Sequence, residues 1–163
     1  MRVLVQRVSH ARVAVEGQLK GEIAQGLTLL VGITDTDTPA EIEWMAKKCL
    51  NLRLFYNDAG DRWAASVQDI GGDILVVSQF PLYGDCRRGR RPSFGQAASP
   101  DHAEPLFAQF VTELLKSGLT IITGTFGAAM VVDIHNDGPV TLWLEREAPP
   151  HLDSWAYQRK HKQ

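Results

Sequence analysis

Residues 78–94 read SQFPLYGDCRRGRRPSF and gather several reactive types: Ser78, Gln79, Asp85, Cys86 and four arginines at 87, 88, 90 and 91. Ser78 closes a strand-like apolar run, so its hydroxyl can be presented at a strand end, where hydrolases place a nucleophile. No GxSxG elbow surrounds it, and no His or Asp stands at a diagnostic spacing. Cys86 lies between Asp85 and Arg87-Arg88, and neighbouring cations favour a thiolate. No base accompanies it, so an incidental loop cysteine is the plainer reading. The five histidines, His10, His102, His135, His151 and His161, are scattered, and each reads as a surface or capping residue. The arginines form a denser signal, four of the eleven in the chain within five positions. Gly89 and Pro92 mark a loop. Such a cluster suits phosphate oxygens, which arginine grips in pairs, and a solvated charged loop is the alternative that stands level with it.

A second stretch, HNDGPVTLWLE at 135–145, contains Asn-Asp-Gly-Pro between two strand candidates. That composition predicts a hairpin turn. Gly138-Pro139 is also a bond at which the cis isomer is cheap.

The elements that must carry these residues follow from pattern. RVLVQRV (2–8), ARVAVE (11–16), LKGEIA (19–24) and LTLLVGI (27–33) alternate like strands, with Gly17 and Gly26 at turns. A helix is predicted from Pro39, with Thr38 as cap, Glu41 closing a capping box, and Ile42, Met45, Ala46, Cys49 and Leu50 as its apolar stripe, with Arg53 at the next position of the same spacing. Cys49 on that stripe reads as a small buried hydrophobe. DILVVSQF (73–80) is nearly continuous in apolar residues and therefore central in its sheet. A second helix is predicted from Ser99-Pro100, with Ala103, Leu106, Phe107, Phe110, Val111, Leu114 and Leu115 facing the core and Gly118 ending it. Pro105 predicts a kink or a late start. LTIITG (119–124), AMVVDIH (129–135) and VTLWLE (140–145) complete the strands.

The expected fold is α+β: a single compact domain, a mixed sheet with about two helices. Length, 44% hydrophobic and 22% charged composition fit one globular domain. A formal charge of −2 restricts any nucleic-acid contact to a local patch. No signal peptide, membrane-spanning run, CxxC pair or zinc spacing is present in the sequence. Two cysteines then predict a reduced, cytoplasmic protein with no metal, cofactor or disulfide frame.

Taken together, MRVLVQRVSHARVAVEGQLKGEI at the start, SQF at 78–80, RRPSF at 90–94, GTFGAAM at 124–130 and NDGPVT at 136–141 resemble the D-aminoacyl-tRNA deacylases. The resemblance runs from Met1 to about Glu145, giving a family-like domain over 1–145 and a tail over 146–163. It implies a homodimer with a barrel-like body. It also implies hydrolysis of the ester joining a D-amino acid, or glycine, to the 3′-terminal adenosine of tRNA, a proofreading step of translation. By position, Ser78, Gln79 and Phe80 would line the pocket, with the N–H of Phe80 and a neighbour forming an oxyanion hole. Gly138-Pro139 would be a cis element reaching in from the partner subunit, its carbonyls accepting from the α-amino group and leaving no room for an L side chain. Arg7 would hold that element, and Phe126 and Met130 would contact the terminal adenine. Arg87, Arg88, Arg90 and Arg91 are the candidate grip on the tRNA.

One departure bears on mechanism. Many relatives have threonine after SQF, and this chain has Pro81. Proline offers neither a hydroxyl nor an N–H, so catalysis shifts to the substrate's own ribose 2′-hydroxyl, with the protein positioning it. Pro81 also suits a rival, a catalytically silent tRNA-binding dimer. A Ser78 or Cys86 esterase is the other. The tail, with its basic Arg159-Lys160-His161-Lys162 end, departs from the family as well and reads as solvated.

Overall fold

The alternation over residues 2–16 folds as one strand rather than two. In the computed structural model, which describes residues 1–148, β1 runs unbroken from Arg2 to Val15. Glu16 and Gly17 then turn with φ of 51° and 76°. That pair of left-handed residues is what a two-residue hairpin needs, and β2 (Gln18–Ile23) returns along β1. β3 (Gly26–Gly32) pairs antiparallel with the first half of β1. The chain continues through α1 (Pro39–Asn51), the short pair β4 (Arg53–Phe55) and β5 (Ala65–Ser66), and β6 (Asp73–Ser78). A 3-10 turn (Phe80–Tyr83), α2 (Pro100–Leu115), β7 (Ile121–Thr123) and β8 (Met130–Glu145) follow. Arg53 thus begins a strand and does not extend the helical stripe.

The sheet order is β2-β1-β3-β6-β7, with β8 along the other edge of β1. β3–β6 and β6–β7 are parallel, whereas the β1 pairings are antiparallel, so the sheet is mixed. β6 is central, as its apolar run predicts: Ile74 and Val76 face one core, and Leu75 and Val77 face a second. The first core lies between the sheet and the helices, where Ile42 and Met45 meet Phe110 and Leu114. The second fills the inside of the curl with Val8, Ala11, Val13 and Ile23. Gly21 permits the curl, because a Cβ there would run into the Ile122 side chain. β2 can therefore lie against β7, and the sheet nearly closes into a barrel.

The predicted cap of α1 is present. Ala40 N–H donates to Thr38 Oγ1 at 3.3 Å, and Thr38 N–H donates to Glu41 Oε2 at 3.0 Å. Thr38→Ala is expected to lower stability by about 1 kcal/mol in urea titration, through loss of this reciprocal pair. Ile42, Met45, Ala46, Cys49 and Leu50 are all buried. Burial pushes the Cys49 thiol up to about 12, which leaves it inert. α2 begins at Pro100 as predicted, although Ser99 makes no side-chain cap bond. Pro105 falls inside the helix, so the late start is not taken. Leu115 is exposed, unlike the rest of the predicted stripe's large residues near it.

The expected hairpin turn at Asn136–Pro139 is absent. β8 continues along β1, with Thr141 opposite Gln6 and Asn136 opposite Val8. Residues 137–140 therefore face Arg7 alone and leave the ladder as a bulge. The turn composition breaks strand geometry only locally, because the flanking registers on β1 keep both halves in one strand. At the other end, Met1 is tied in: its ammonium pairs with buried Asp37 at 2.5 Å and donates to Arg146 O at 2.7 Å. No helix among the described residues is long and apolar enough to cross a membrane. Most of the predicted tail, from residue 149 onward, lies outside the described residues.

Candidate active site

A cavity of about 600 Å³ opens where the parallel strands β3 and β6 end. Its walls come from Val31 and Ile33, the Ser78–Pro81 segment, Phe94, Ala97 and Ala98, Ala103 and Phe107 of α2, and Phe126 to Val132. The segment before α2 is fixed there by Ala98 N–H donating to Ile33 O at 2.9 Å and Thr34 Oγ1 donating to Gln96 O at 2.6 Å. Phe126 leans on Phe107, with ring centroids 5.8 Å apart. Phe80 is 58% exposed at the mouth and meets Phe94 edge to face, centroids 5.0 Å apart.

Among the described residues, the cavity lining contains no Asp, Glu, His, Cys, Lys or Arg. Ser78 is present, yet among the described residues no histidine or carboxylate shares the cavity to take its proton. Cys86 is exposed and outside the lining. His102 sits instead against Asp37 O at 3.2 Å, and His10 and His135 stack on each other across β1 and β8 with centroids 3.6 Å apart. What the strand end does offer is main chain. Gln79 N–H is taken by Val31 O at 2.7 Å, Pro81 has no N–H, and Leu82 N–H donates to Gln79 O at 3.2 Å. Among the described residues nothing accepts from Phe80 N–H, which leaves it as the segment's unused donor. Pro81 fits at the second position of the 3-10 turn, where an N–H is not required.

The β8 bulge forms a separate feature. Gly138 and Pro139 are exposed and joined by a cis bond. They do not line the cavity described above. Arg7, only 7% exposed, lies under them. Its Nη1 donates to Leu54 O at 2.6 Å. Its Nε approaches Asp137 Oδ2 to 2.8 Å, an ion pair by distance without the alignment of a hydrogen bond. Asn136 Nδ2 donates to both Arg7 O and Val140 O at 3.0 Å, closing the bulge at its neck.

The arginine loop is tied at its base by Asp85 and Ser93, whose N–H and carbonyl groups exchange bonds at 2.7 and 2.9 Å. Arg87 is paired: its Nε and Nη2 reach Asp85 at 2.8 and 2.7 Å, a two-pronged contact that holds the carboxyl well below the usual carboxylate range. Among the described residues Arg88, Arg90 and Arg91 make no ion pair. A second cleft, of about 560 Å³, is lined by Asp85, Arg87, Arg88 and Ser93.

Of the residues singled out from sequence, Ser78, Gln79, Phe80, Phe126 and Met130 thus meet in one cavity. Arg7, Gly138 and Pro139 form a second cluster, and the arginines a third. Phe94, Ala97, Ala98 and Phe107 belong to the cavity and had no assigned place in it. RRPSF stands out in sequence by its charges, whereas in the fold its Phe94, just past the Asp85–Ser93 pairing, turns back on Phe80.

Comparison with known proteins bears on this arrangement. A family model described as D-Tyr-tRNA(Tyr) deacylase matches residues 4–145. A D-aminoacyl-tRNA deacylase of Picosynechococcus sp. is 61% identical over 150 residues, spanning 92% of this chain and 99% of the relative. One of Rippkaea orientalis is 58% identical, spanning 90% of this chain and 100% of the relative. A solved structure described as c-Myc DNA Unwinding Element Binding Protein superposes with a TM-score of 0.85 at 42% identity, over 91% of this chain and all of that one. Another, described as a probable eukaryotic D-amino acid tRNA deacylase, gives a TM-score of 0.78 at 18% identity over 88% of this chain and 97% of that one, and shows a shared fold.

Proposed function

This chain belongs to the D-aminoacyl-tRNA deacylase family, and we propose that it hydrolyses the ester of D-aminoacyl-tRNA, and of glycyl-tRNA, without any ionisable side chain in the reaction. The observation that carries this reading is the lining of the cavity, which holds a free main-chain donor and no acid, base or thiolate. A water adds to the ester carbonyl carbon, and the developing oxyanion is met by Phe80 N–H. The bond from that carbon to the ribose 3′-oxygen then breaks. The proton shed by the water reaches the departing 3′-oxygen through the vicinal 2′-hydroxyl, so the products are free amino acid and tRNA. Phe126, already braced by Phe107, and Met130 receive the terminal adenine. The family-like domain spans residues 1–145.

Selection against L substrates needs a wall at the α-carbon in addition to the cavity itself. The exposed Gly138-Pro139 bulge is the natural candidate, supplied by a second copy of the chain across the outer edge of β8, which has no strand partner among the described residues. Main-chain carbonyls there receive the α-amino group. A D side chain points outward, an L side chain meets the bulge, and glycine has nothing to reject.

Purified protein is expected to release D-tyrosine from D-tyrosyl-tRNA and to spare L-tyrosyl-tRNA; equal rates on the two would overturn the chirality reading. Ser78→Ala and Cys86→Ala are both expected to retain activity within about tenfold, since neither group has a base to activate it. Loss in Ser78→Ala together with a trapped acyl-enzyme would instead make this a serine esterase. A non-catalytic reading is favoured by one observation, the 42% identity to a protein described as binding a DNA element. It predicts tight nucleic-acid binding with no release of either enantiomer.

A further inference from the structure

We propose that Arg88, Arg90 and Arg91 grip the phosphodiester backbone immediately 5′ of the terminal nucleoside, while Asp85 withholds Arg87 from that contact and uses it as a strut for the loop. This rests on the reading of the cavity as a receptor for the tRNA end. Four arginines are close in sequence, but they are not equivalent in space. Arg87 folds back on Asp85 through two side-chain contacts, and its own N–H donates to Asp85 Oδ1 at 3.0 Å. The same aspartate pairs through its backbone with Ser93, so one residue fixes both the base of the loop and the first arginine. Gly89, at φ 68°, reverses the chain between Arg88 and Arg90. The three remaining guanidinium groups are exposed, without acidic partners among the described residues.

The loop also sits where a charged backbone must leave the cavity. Ser93 lines the arginine cleft, and the next residue, Phe94, lines the main cavity against Phe80. The main cavity is neutral and largely apolar, so it suits a nucleoside but offers nothing to neutralise a phosphate. The chain as a whole is slightly acidic, at −2, which makes a local cluster the only way to attract a polyanion to this mouth. Planar guanidinium groups engage phosphate oxygens in pairs, and three of them match a run of successive phosphates rather than a single one.

The test compares the R88Q/R90Q/R91Q variant with the unmodified protein on two substrates, D-tyrosyl-tRNA and 3′-O-D-tyrosyl-adenosine, which lacks every phosphate. kcat/KM on the tRNA ester is expected to fall at least tenfold, with the adenosine ester unchanged within twofold. In parallel, the slope of log affinity for uncharged tRNA against log salt should become shallower by about 2, from three lost single-strand phosphate contacts. Asp85→Asn should steepen that slope by up to about 0.7 by releasing Arg87. An equal fall on both substrates would mean that the loop shapes the cavity, and would overturn the grip. No change on either substrate, or an unaltered salt slope, would overturn it too. Should the unmodified protein prove inactive on both esters, the catalytic reading fails, and the salt slope alone still decides the grip: shallower supports it, unchanged rejects it.

Discussion

Gly138→Ala is expected to fold like the unmodified chain and to lose between about fivefold and about a hundred-and-fifty-fold in kcat/KM on D-tyrosyl-tRNA. The two halves of that expectation have separate grounds. Among the described residues a Cβ at Gly138 would find only Asn136 Oδ1, at an ordinary 3.8 Å, and the residue lies exposed on the β8 bulge. Nothing in the fold opposes a methyl group there, so thermal unfolding should be unchanged. If the bulge closes over a substrate in the partner's cavity, the same methyl enters a space already filled. Overpacking a close contact by one methyl group carries about 1–3 kcal/mol, or roughly fivefold to a hundred-and-fifty-fold in rate. Gly138→Val should be worse than Ala, which distinguishes steric exclusion from a change in backbone freedom. Full activity in both variants would remove Gly138 from the site and with it the cross-subunit account of chirality.

Arg7→Ala is the second large effect, and here stability and activity should move together but unequally. Arg7 is buried, donates to Leu54 O, and stands beside Asp137 at the neck of the bulge. Losing a charged donor to a buried carbonyl lowers stability by about 1.5–3 kcal/mol. Asp137 is half exposed, so water can solvate it when its partner is gone, and the penalty stays in that range. Activity should fall further, on the order of a hundredfold, because the bulge is left attached only through Asn136 and a displacement of about 1 Å is enough for such a loss. Arg7→Lys supplies the control. It keeps the charge but cannot reach both Leu54 O and Asp137 with a fixed fork, so its activity should lie between the two. A loss of stability with kcat/KM intact would reduce Arg7 to a structural role.

The elements that hold these residues were legible in sequence to different degrees. Thr38-Pro39-Glu41 specify a helix start by local chemistry alone, and α1 begins there. The 73–78 run could be placed at the centre of the sheet because only a strand covered on both faces is apolar throughout. The break read at Ser9-His10 was misleading for a definite reason. Those residues are exposed, and β1 exchanges β3 for β2 along one edge near that point, while β8 keeps the other edge continuous. Sequence shows the polar interruption but not the unbroken partner. The same partner turns the Asn-Asp-Gly-Pro segment from a hairpin into a bulge. Of the cavity, SQF, Phe126 and Met130 were accessible through resemblance to a family. Phe94 and Ala97-Ala98 were not, since their place depends on the Asp85–Ser93 and Ala98–Ile33 pairings, which leave no periodic trace. The unequal arginines belong to the same class: spacing shows four charges, and only the fold shows that one of them is spoken for.

The neutral lining has a consequence for chemical intervention. Covalent inhibitors of hydrolases work by capturing an activated serine, a thiolate or an imidazole, and among the described residues this cavity presents none of them. Ser78 without a base is no more reactive than any surface alcohol, Cys49 is sealed in the core, and Cys86 lies on the rim loop. Fluorophosphonates, iodoacetamide and diethylpyrocarbonate should therefore leave turnover intact. On the proposed reading of the cavity as a nucleoside seat, a useful inhibitor carries a non-hydrolysable amide or ether in place of the ester. Escape from such a compound would come from changes in cavity shape rather than from loss of a reactive group.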